Sequence, residues 1–343
     1  MPLSAVPMIR LRRTYLPPLG DGAGERILFL RYSALGDILM ATPYCRALKE
    51  QYPQSHLTWL ACSQYVPFLE EQPYIDKVLP WDRSAGETAF ISLLLHLGRG
   101  RYTRLVSLHD GDRGALISFF SGNRMRFCNA KFWRFLYESP HDLSFWTAHE
   151  LRIPEGSSLG YVVTPGMKER AASLLGEHVS RPFILGAIGA SKEIKRWPVE
   201  RWRDFSAYAV LAGLQVLLVG EGEEEKNAAS MIETAVRSPL VRNLVGKIPL
   251  ADLGGVISLS AAVIAGDTGI LHIARMLGKP SYALLGPTPL PEGLGLAHPE
   301  KIFWAKCPQK GCWRWECPRE CLGTITALEV WDEVASFLKR SEK

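Results

Sequence analysis

The chain has 343 residues, 47% of them apolar, which is enough to bury a large core and to form two domains. Charged residues make up 22% and the formal net charge is only +5, which argues against a nucleic-acid partner. No apolar run approaches the roughly 20 residues of a membrane span, and seven cysteines without an export signal favour a cytoplasmic protein over a secreted disulfide framework.

The first 25 residues are rich in proline and glycine, and we expect them to form a flexible leader. The leader carries Arg10, Arg12 and Arg13. A weak contact of these cations with an anionic membrane surface is the functional alternative to a disordered tail.

A first series of strands and helices follows the leader. The apolar run RILFLRY (26–32) predicts a buried strand, 38–51 has helical spacing, and HLTWLAC (56–62) predicts a second strand. Shorter strands are expected at 76–81 and 104–110. This order predicts a β-α-β unit with further strands beside it.

A second series begins after an irregular aromatic stretch. Strands are predicted at 183–190, 214–220, 261–267 and 281–286, with helices between them and an amphipathic helix at the end of the chain. Two such series predict an α/β fold with two doubly wound domains that face a cleft. We place these domains at 26–155 and 156–325, followed by a terminal helix at 326–343.

Two polar turns follow predicted strands, at the position where open α/β sheets bind ligands. They are SALGD (33–37) and GDTG (266–269), and neither matches a dinucleotide fingerprint or a P-loop. Taken alone, Asp37 is most simply a helix N-cap. The turn at 266–269 is either a similar cap or a cradle in which free N–H groups meet a diphosphate.

A third loop, SKEIKRWP (191–198), joins a strand end to a helix start. Its Lys192, Lys195 and Arg196 are either solvated or neutralise a phosphate. The three turns together offer a carboxylate on one domain and a cationic, N–H-rich surface on the other.

The three turns lie in segments that resemble glycosyltransferase family nine, the lipopolysaccharide heptosyltransferases. The segment ILFLRYSALGDILMATPYCRALKEQYP is similar to the opening of that family, and GDTGILHIARMLGKPSYALLGPT to its second signature. KRWPVERW falls where the family has its phosphate-binding lysine loop. The similarity runs in order from about residue 26 to 335.

The resemblance implies a GT-B architecture: two Rossmann-like domains, with the nucleotide-sugar bound mainly by the second and the last helix packed back toward the first. It implies inverting, metal-independent transfer of a sugar, usually heptose from ADP-heptose, to a lipopolysaccharide core or another surface glycan at the inner face of the cytoplasmic membrane. Asp37 matches the general base, Lys195 the donor-phosphate lysine and Asp267 the donor-binding aspartate. The other positions that fall in the donor site are Ser191, Glu221 or Glu223, Thr268, Gly269 and His272.

Two further segments bear on the acceptor. HDGDRG (109–114) contains an Asp-x-Asp, the metal-nucleotide motif of a different transferase architecture. We interpret its two carboxylates as residues of a polar loop, although Arg113 is suited to an acidic acceptor. KFWRFLYE (131–138) mixes aromatic residues with Lys131 and Arg134, and it either packs in a core or contacts a lipid-linked acceptor.

Four cysteines lie close together near the end of the chain: Cys307, Cys312, Cys317 and Cys321. Four thiolates suit one structural zinc or iron, and they leave no open position for catalysis. The spacings are wider than a C-x-x-C pair, so reduced thiols packed in a loop are the alternative.

Two other functions compete with sugar transfer. A nucleotide-sugar 2-epimerase with a GT-B fold needs no acceptor, whereas a non-catalytic scaffold would bind a partner through the cysteine and aromatic segments. Retention of Asp37, Lys195 and Asp267 argues against the scaffold.

Overall fold

The computed structural model describes residues 23–32, 34–108, 112–121, 125–128, 160–290, 298–317 and 321–341. The first 22 residues, the Asp-x-Asp loop at 109–111, the aromatic segment 131–138 and the boundary expected near 155 lie outside these ranges.

The first sheet has five parallel strands in the order β3-β2-β1-β4-β5. The strands are β1 (Arg26–Leu30), β2 (His56–Ala61), β3 (Lys77–Pro80), β4 (Arg104–Ser107) and β5 (Met125–Cys128). The helices of this unit are α1 (Leu35–Gln51), α2 (Val66–Glu70), α3 (Gly86–Arg99) and α4 (Asp112–Phe120).

The second sheet has six parallel strands in the order β11-β10-β9-β6-β7-β8. The strands are β6 (Phe183–Ala187), β7 (Gln215–Val219), β8 (Val241–Asn243), β9 (Ala262–Gly266), β10 (Ser281–Leu285) and β11 (Lys301–Trp304). The helices are α5 (Pro165–Leu175), α6 (Val199–Leu211), α7 (Glu223–Val236), α8 (Leu253–Leu259), α9 (Gly269–Met276) and α10 (Ala327–Ser341).

The predicted α/β class with two parallel sheets is confirmed. The central strands are continuous apolar runs because helices cover both faces of a parallel sheet, and β6, β7, β9 and β10 are buried along their whole length. The pattern missed β5, β8 and β11, which are edge strands of three or four residues.

Each sheet has one topological switch point, where successive crossovers leave in opposite directions. It lies between β1 and β4 in the first sheet and between β6 and β9 in the second. Strands that border these two points precede residues 34–37, the turn at 266–269 and the loop at 191–198. The fold therefore puts these three segments at the position where open α/β sheets bind ligands.

The last helix packs on the second sheet's own helical layer. The ring centroid of Trp331 lies 6.0 Å from that of Phe205 on α6, and Phe337 lies 6.5 Å from Tyr282 on β10. The described contacts of this helix are therefore with its own sheet unit, and packing back toward the first domain stays a prediction. Its apolar stripe is complementary to α6, which lies beside it.

Polar contacts also join the two sheet units at a place away from the three turns. Gln72, just after α2, exchanges hydrogen bonds with the backbone of Val162, which donates at 2.8 Å and accepts at 3.3 Å. Arg170 on α5 bridges Glu71 at 2.8 Å and Asp252 at 2.6 Å. In the described ranges, no helix is both long and apolar enough to span a bilayer.

Candidate functional site

Asp37 lies in the first turn of α1, directly after the carboxyl end of β1. Ala34 is the N-cap residue, so the interpretation of Asp37 as the N-cap is wrong. Asp37 is instead the third helical residue, and its Oδ2 accepts a hydrogen bond from the Ala34 N–H at 3.2 Å. A carboxylate at this position satisfies one orphan donor of the helix start.

Arg31, which sequence reasoning did not select, holds the same carboxylate from the other side. Its Nη2 lies 2.5 Å from Asp37 Oδ2, and its Nη1 donates at 2.5 Å to the carbonyl of Leu108 after β4. Arg31 therefore spans the switch point between β1 and β4. The Asp37 side chain remains 54% exposed, so it is fixed in orientation and open to a ligand.

Lys195, Asp267 and His272 form the centre of the second switch point. Lys195 Nζ donates to Asp267 Oδ2 at 2.8 Å, and His272 Nε2 lies 3.4 Å from Asp267 Oδ1. The loop after β6 approaches the end of β9 closely, since a Cβ on Gly266 would lie 3.0 Å from the carbonyl oxygen of Lys195.

The charges of this group favour an ionised Asp267. Burial raises the pKa of Asp267, but hydrogen bonds from His272 and Lys195 and their charges outweigh it and hold the pKa well below its usual range. Arg275, one turn further along α9, is almost fully buried, and burial lowers the pKa of its guanidinium while the Asp267 charge opposes that effect. The site is thus a cationic surface with one carboxylate at its centre.

The start of α9 presents polar atoms that the described protein groups do not bind. Thr268 is the N-cap residue, yet its side chain makes no capping hydrogen bond. The Oγ1 of Thr268 and the Nδ1 of His272 are both buried without a hydrogen-bond partner among the described residues. Buried polar atoms without partners are costly unless a ligand or water binds them.

The starts of α1 and α9 meet across the cleft between the two sheet units. A Cβ on Gly269 would lie 2.5 Å from Leu35 Cδ2, so glycine is required for this approach. Beside it, a Cβ on Gly36 would lie 3.4 Å from His272 Cδ2. The structure therefore brings the SALGD and GDTG turns together.

The remaining predicted donor positions lie around the lysine loop. Ser191 and Lys192 are exposed, and Lys195 Nζ lies 5.8 Å from the centroid of the Trp315 ring. Arg196 pairs with Glu224 at 2.7 Å.

Glu225 is the buried carboxylate of the acidic stretch, whereas Glu221 and Glu223 are exposed. A Cβ on Gly189 would lie 1.8 Å from Glu225 Oε2, and one on Gly220 would lie 2.2 Å from it. Glu225 Oε2 accepts a hydrogen bond from the Glu221 N–H at 2.8 Å. Helical register, which the run of glutamates hides in the sequence, decides which side chain points inward.

A cavity of about 720 Å³ lies beside this loop. Arg196, Glu225, Trp202 and Trp315 contribute to its walls. The indole Nε1 of Trp202 is buried without a hydrogen-bond partner among the described residues. The cavity therefore joins the lysine loop to the cysteine segment, from which Trp315 projects.

Arg113 lies in the first sheet unit, whereas Cys317 and Cys321 line the cavity beside the lysine loop. Arg113 on α4 pairs with Glu87 at 2.9 Å and lies 5.6 Å from the centroid of Phe90. The four cysteines of 307–321 are all free thiols. Burial raises the pKa of Cys321, and the other three thiols of the segment add to that effect.

The donor set of this segment has the right chemistry for zinc or iron, but its placement does not form a ligand shell. In the parts of the chain described here, no three His, Cys, Asp or Glu side chains lie close enough together to hold a metal. The metal site therefore stays a prediction.

Comparisons with known proteins agree with this geometry. The family model described as "Glycosyltransferase family 9 (heptosyltransferase)" matches residues 91–322. "Lipopolysaccharide heptosyltransferase 2" of Escherichia coli K12 is 26% identical over 291 residues, which cover 77% of this chain and 83% of that protein.

Two solved structures show the same fold. The glycosyl transferase family 9 protein from Veillonella parvula superposes with a TM-score of 0.75 at 19% identity and covers 93% of this chain and 99% of that one. E. coli heptosyltransferase WaaC with ADP-2-deoxy-2-fluoro heptose gives a TM-score of 0.67 at 16% identity, with 92% and 99% coverage. The architecture is GT-B, and the chain belongs to glycosyltransferase family 9, the heptosyltransferase family.

Proposed function

We propose that this glycosyltransferase transfers a heptose from ADP-heptose to a hydroxyl of a lipopolysaccharide core or another cell-surface glycan, with inversion at the anomeric carbon and without a catalytic metal. The observation that carries the proposal is the contact of Gly269 with Leu35, which brings a carboxylate turn and a cationic turn to one cleft. Such a cleft suits an acceptor on one side and a nucleoside diphosphate on the other.

Asp37 is the proposed general base. An inverting displacement needs one group to take the proton of the acceptor hydroxyl as its oxygen attacks the anomeric carbon. The Asp37 carboxylate is half exposed at the cleft, while Arg31 and the Ala34 N–H restrict its orientation. The attack forms the new glycosidic bond, breaks the bond to the diphosphate oxygen and leaves the proton on Asp37.

The leaving diphosphate gains negative charge as that bond breaks, so fixed donors must stabilise it. Lys195, Thr268 Oγ1 and the free N–H groups at the start of α9 are the donors we assign to it. Asp267 orients the Lys195 ammonium and the His272 ring through contacts at 2.8 and 3.4 Å. Donors that are already in place need no metal ion to supply this charge.

The donor and acceptor are proposed from the relatives. The WaaC structure holds ADP-2-deoxy-2-fluoro heptose, and the E. coli relative is a lipopolysaccharide heptosyltransferase. We propose ADP-heptose as the donor on this basis, and an acceptor presented at the inner face of the cytoplasmic membrane.

Calorimetric titration with ADP, UDP and GDP in the presence of a chelator tests the nucleotide. Selective binding of ADP is expected, and it makes ADP-heptose the donor for a transfer assay. Tighter binding of UDP or GDP would remove the heptose assignment. Binding of none of the three by folded protein would contradict a nucleotide-sugar donor altogether.

A further inference from the structure

The lysine loop, residues 191–198, follows β6, which lies between β9 and β7 in the second sheet. Two consecutive side chains of the loop reach toward these two neighbours. Lys195 Nζ donates to Asp267 in the turn after β9 at 2.8 Å. Arg196 Nη1 donates to Glu224 on α7, the helix after β7, at 2.7 Å. The loop is therefore held from both sides.

The guanidinium of Arg196 is engaged by oxygen atoms of the chain itself. Its Nε donates to the carbonyl of Ala190 at 3.1 Å, which ties the loop back to the residue that precedes it. Besides the contact of Nη1 with Glu224, Nη2 lies 3.7 Å from Oε1 of Glu225. Each of the three nitrogens thus faces a protein oxygen, which argues against a direct role of Arg196 in neutralising a phosphate.

Glu225 is a buried carboxylate that sugar transfer, as proposed above, does not use. Its Oε2 lies where a Cβ on Gly189 or on Gly220 would come within 1.8 or 2.2 Å, so the two glycines leave the space that the carboxylate occupies. The same oxygen accepts a hydrogen bond from the Glu221 N–H at 2.8 Å. A buried charge is costly unless it is paired, and Arg196 supplies a facing cation. Glu225 therefore restricts where the guanidinium can lie.

We propose that Arg196 and Glu225 are positioning residues of the donor site. Glu225 anchors the guanidinium, and the guanidinium holds the Ala190 carbonyl and with it the lysine loop. The loop in turn presents the Lys195 ammonium to Asp267 and to the diphosphate. The inference rests on the proposed donor site, and it explains how Lys195 is already in place when the nucleotide binds.

Direct contact between Arg196 and the diphosphate is the competing interpretation, and it predicts the opposite sign for Glu225. If Arg196 attracted the nucleotide by its charge, removal of the Glu225 charge would tighten ADP binding, because like charges repel. If the two side chains act as a unit, removal of either one loosens the loop and weakens binding. The effects of the two changes should then not add, since both break the same connection.

A double-mutant cycle on the full chain tests the proposal with ADP as the probe. The variants are Arg196→Met, Glu225→Gln and the two combined. The matched control is Arg201→Met, since the Arg201 guanidinium on α6 also binds a backbone carbonyl, that of Gly323, at 3.1 and 3.2 Å. Calorimetry in chelator gives the affinity for ADP. Hydrogen exchange, followed by mass spectrometry without nucleotide, reports the order of the lysine loop.

We expect Arg196→Met to bind ADP roughly tenfold more weakly, because the loop must then be ordered during binding. Glu225→Gln should weaken binding in the same direction by at least about threefold, and the combined variant should stay within about twofold of Arg196→Met. Loop amides should exchange faster in all three variants. Arg201→Met should keep both the wild-type affinity and the wild-type exchange of the loop.

Three results would overturn the proposal. Tighter ADP binding by Glu225→Gln, or additive losses in the combined variant, would assign Arg196 to direct contact with the nucleotide. Unchanged exchange of the loop in Arg196→Met would show that the loop needs no such support. An equal loss of ADP affinity in Arg201→Met would indicate general loosening of the domain.

Failure of the proposed donor site gives a different result. Wild-type protein would then bind no ADP, while the exchange of the loop in the ligand-free variants would still decide whether Arg196 and Glu225 hold it.

Discussion

Lys195 Nζ lies 2.8 Å from Oδ2 of Asp267, and this contact joins the loop after β6 to the turn after β9. The two side chains are only 12% and 17% exposed, so solvent screens their attraction weakly. The pair therefore fixes the geometry of the second switch point as well as its charge.

Removing Lys195 should make the stability of the protein less dependent on pH in the acid range. The pKa of Asp267 is lowered in the folded state, so the stability from this group is present above its unfolded pKa of about 3.9 and is lost as the pH falls through the lower folded value. In Lys195→Met the folded pKa rises toward the unfolded one, so less stability is lost on acidification, and the difference in stability from wild type should narrow below about pH 4. Urea unfolding from about pH 2 to 7 measures this narrowing.

The same variant should lose about 2 kcal/mol of stability at neutral pH, because Asp267 loses the cation that lies 2.8 Å from its carboxylate. Lys301→Met is the matched control, since Lys301 pairs with Glu333 at 2.8 Å but both side chains are more than 40% exposed. Equal acid sensitivity of the two variants would contradict the coupling.

Asp37→Asn should lower kcat by about a hundred- to ten-thousand-fold, because an amide cannot take the acceptor proton. The affinity for ADP should not change, since the nucleotide is assigned to the other domain. Transfer kinetics and calorimetry measure the two quantities. Glu50→Gln, at an exposed ion pair on the same helix, is the control and should keep full activity.

Gly269→Ala should destabilise the protein by about 1–3 kcal/mol, because the new methyl group would lie 2.5 Å from Leu35 Cδ2. Adding Leu35→Ala should restore part of the loss in thermal unfolding. Gly166→Ala serves as the control, since its Cβ would meet only the end of the Arg170 side chain, at 3.6 Å. If the double variant is no more stable than Gly269→Ala, the contact does not limit the approach.

Trp315→Leu should weaken ADP binding about two- to fivefold, because its ring no longer holds the Lys195 ammonium, which lies 5.8 Å from the ring centroid. Trp313→Leu is the control, since Trp313 is more exposed and its ring contacts Trp315 at 5.9 Å. Calorimetry distinguishes the two. A larger loss in Trp313→Leu would contradict the role given to Trp315.

Metal analysis of the purified protein tests the cysteine segment. Of the two interpretations of the four cysteines, the metal site requires one zinc or iron per chain, which Cys312→Ser should lose, while ADP binding in chelator should persist because the donor contacts need no ion. Elemental analysis by mass spectrometry gives the content directly. A metal-free protein with an intact fold would leave four packed thiols as the correct interpretation.

The positions of Asp37, Lys195 and Asp267 could be predicted from the sequence because each lies in a polar turn or loop between a buried strand and the helix that follows it. In a parallel sheet, the carboxyl ends of all strands share one edge, so such turns converge whatever the detailed packing. The apolar run of β1 and the glycines of the GDTG turn therefore indicated where most of the site lies.

The partners of those residues could not be predicted in the same way. Arg31 and Arg275 look like ordinary basic residues in an apolar run, and only the register of β1 and α9 turns them toward carboxylates. Glu225 was hidden among adjacent glutamates for the same reason. The apolar stripe of the last helix shows that the helix packs, but it does not show that Trp331 contacts Phe205 on α6.

The closeness of Leu35 and Gly269 also bears on how this enzyme can be recombined with its relatives. The two residues belong to different sheet units, yet a side chain can be added at Gly269 only if Leu35 is reduced or moves. A chimera that takes its first half from one homologue and its second half from another must satisfy this constraint where α1 meets α9. Such hybrids should fold with the two helix starts in contact when the leucine and the glycine are inherited together. When they are not, the starts of α1 and α9 should lie further apart.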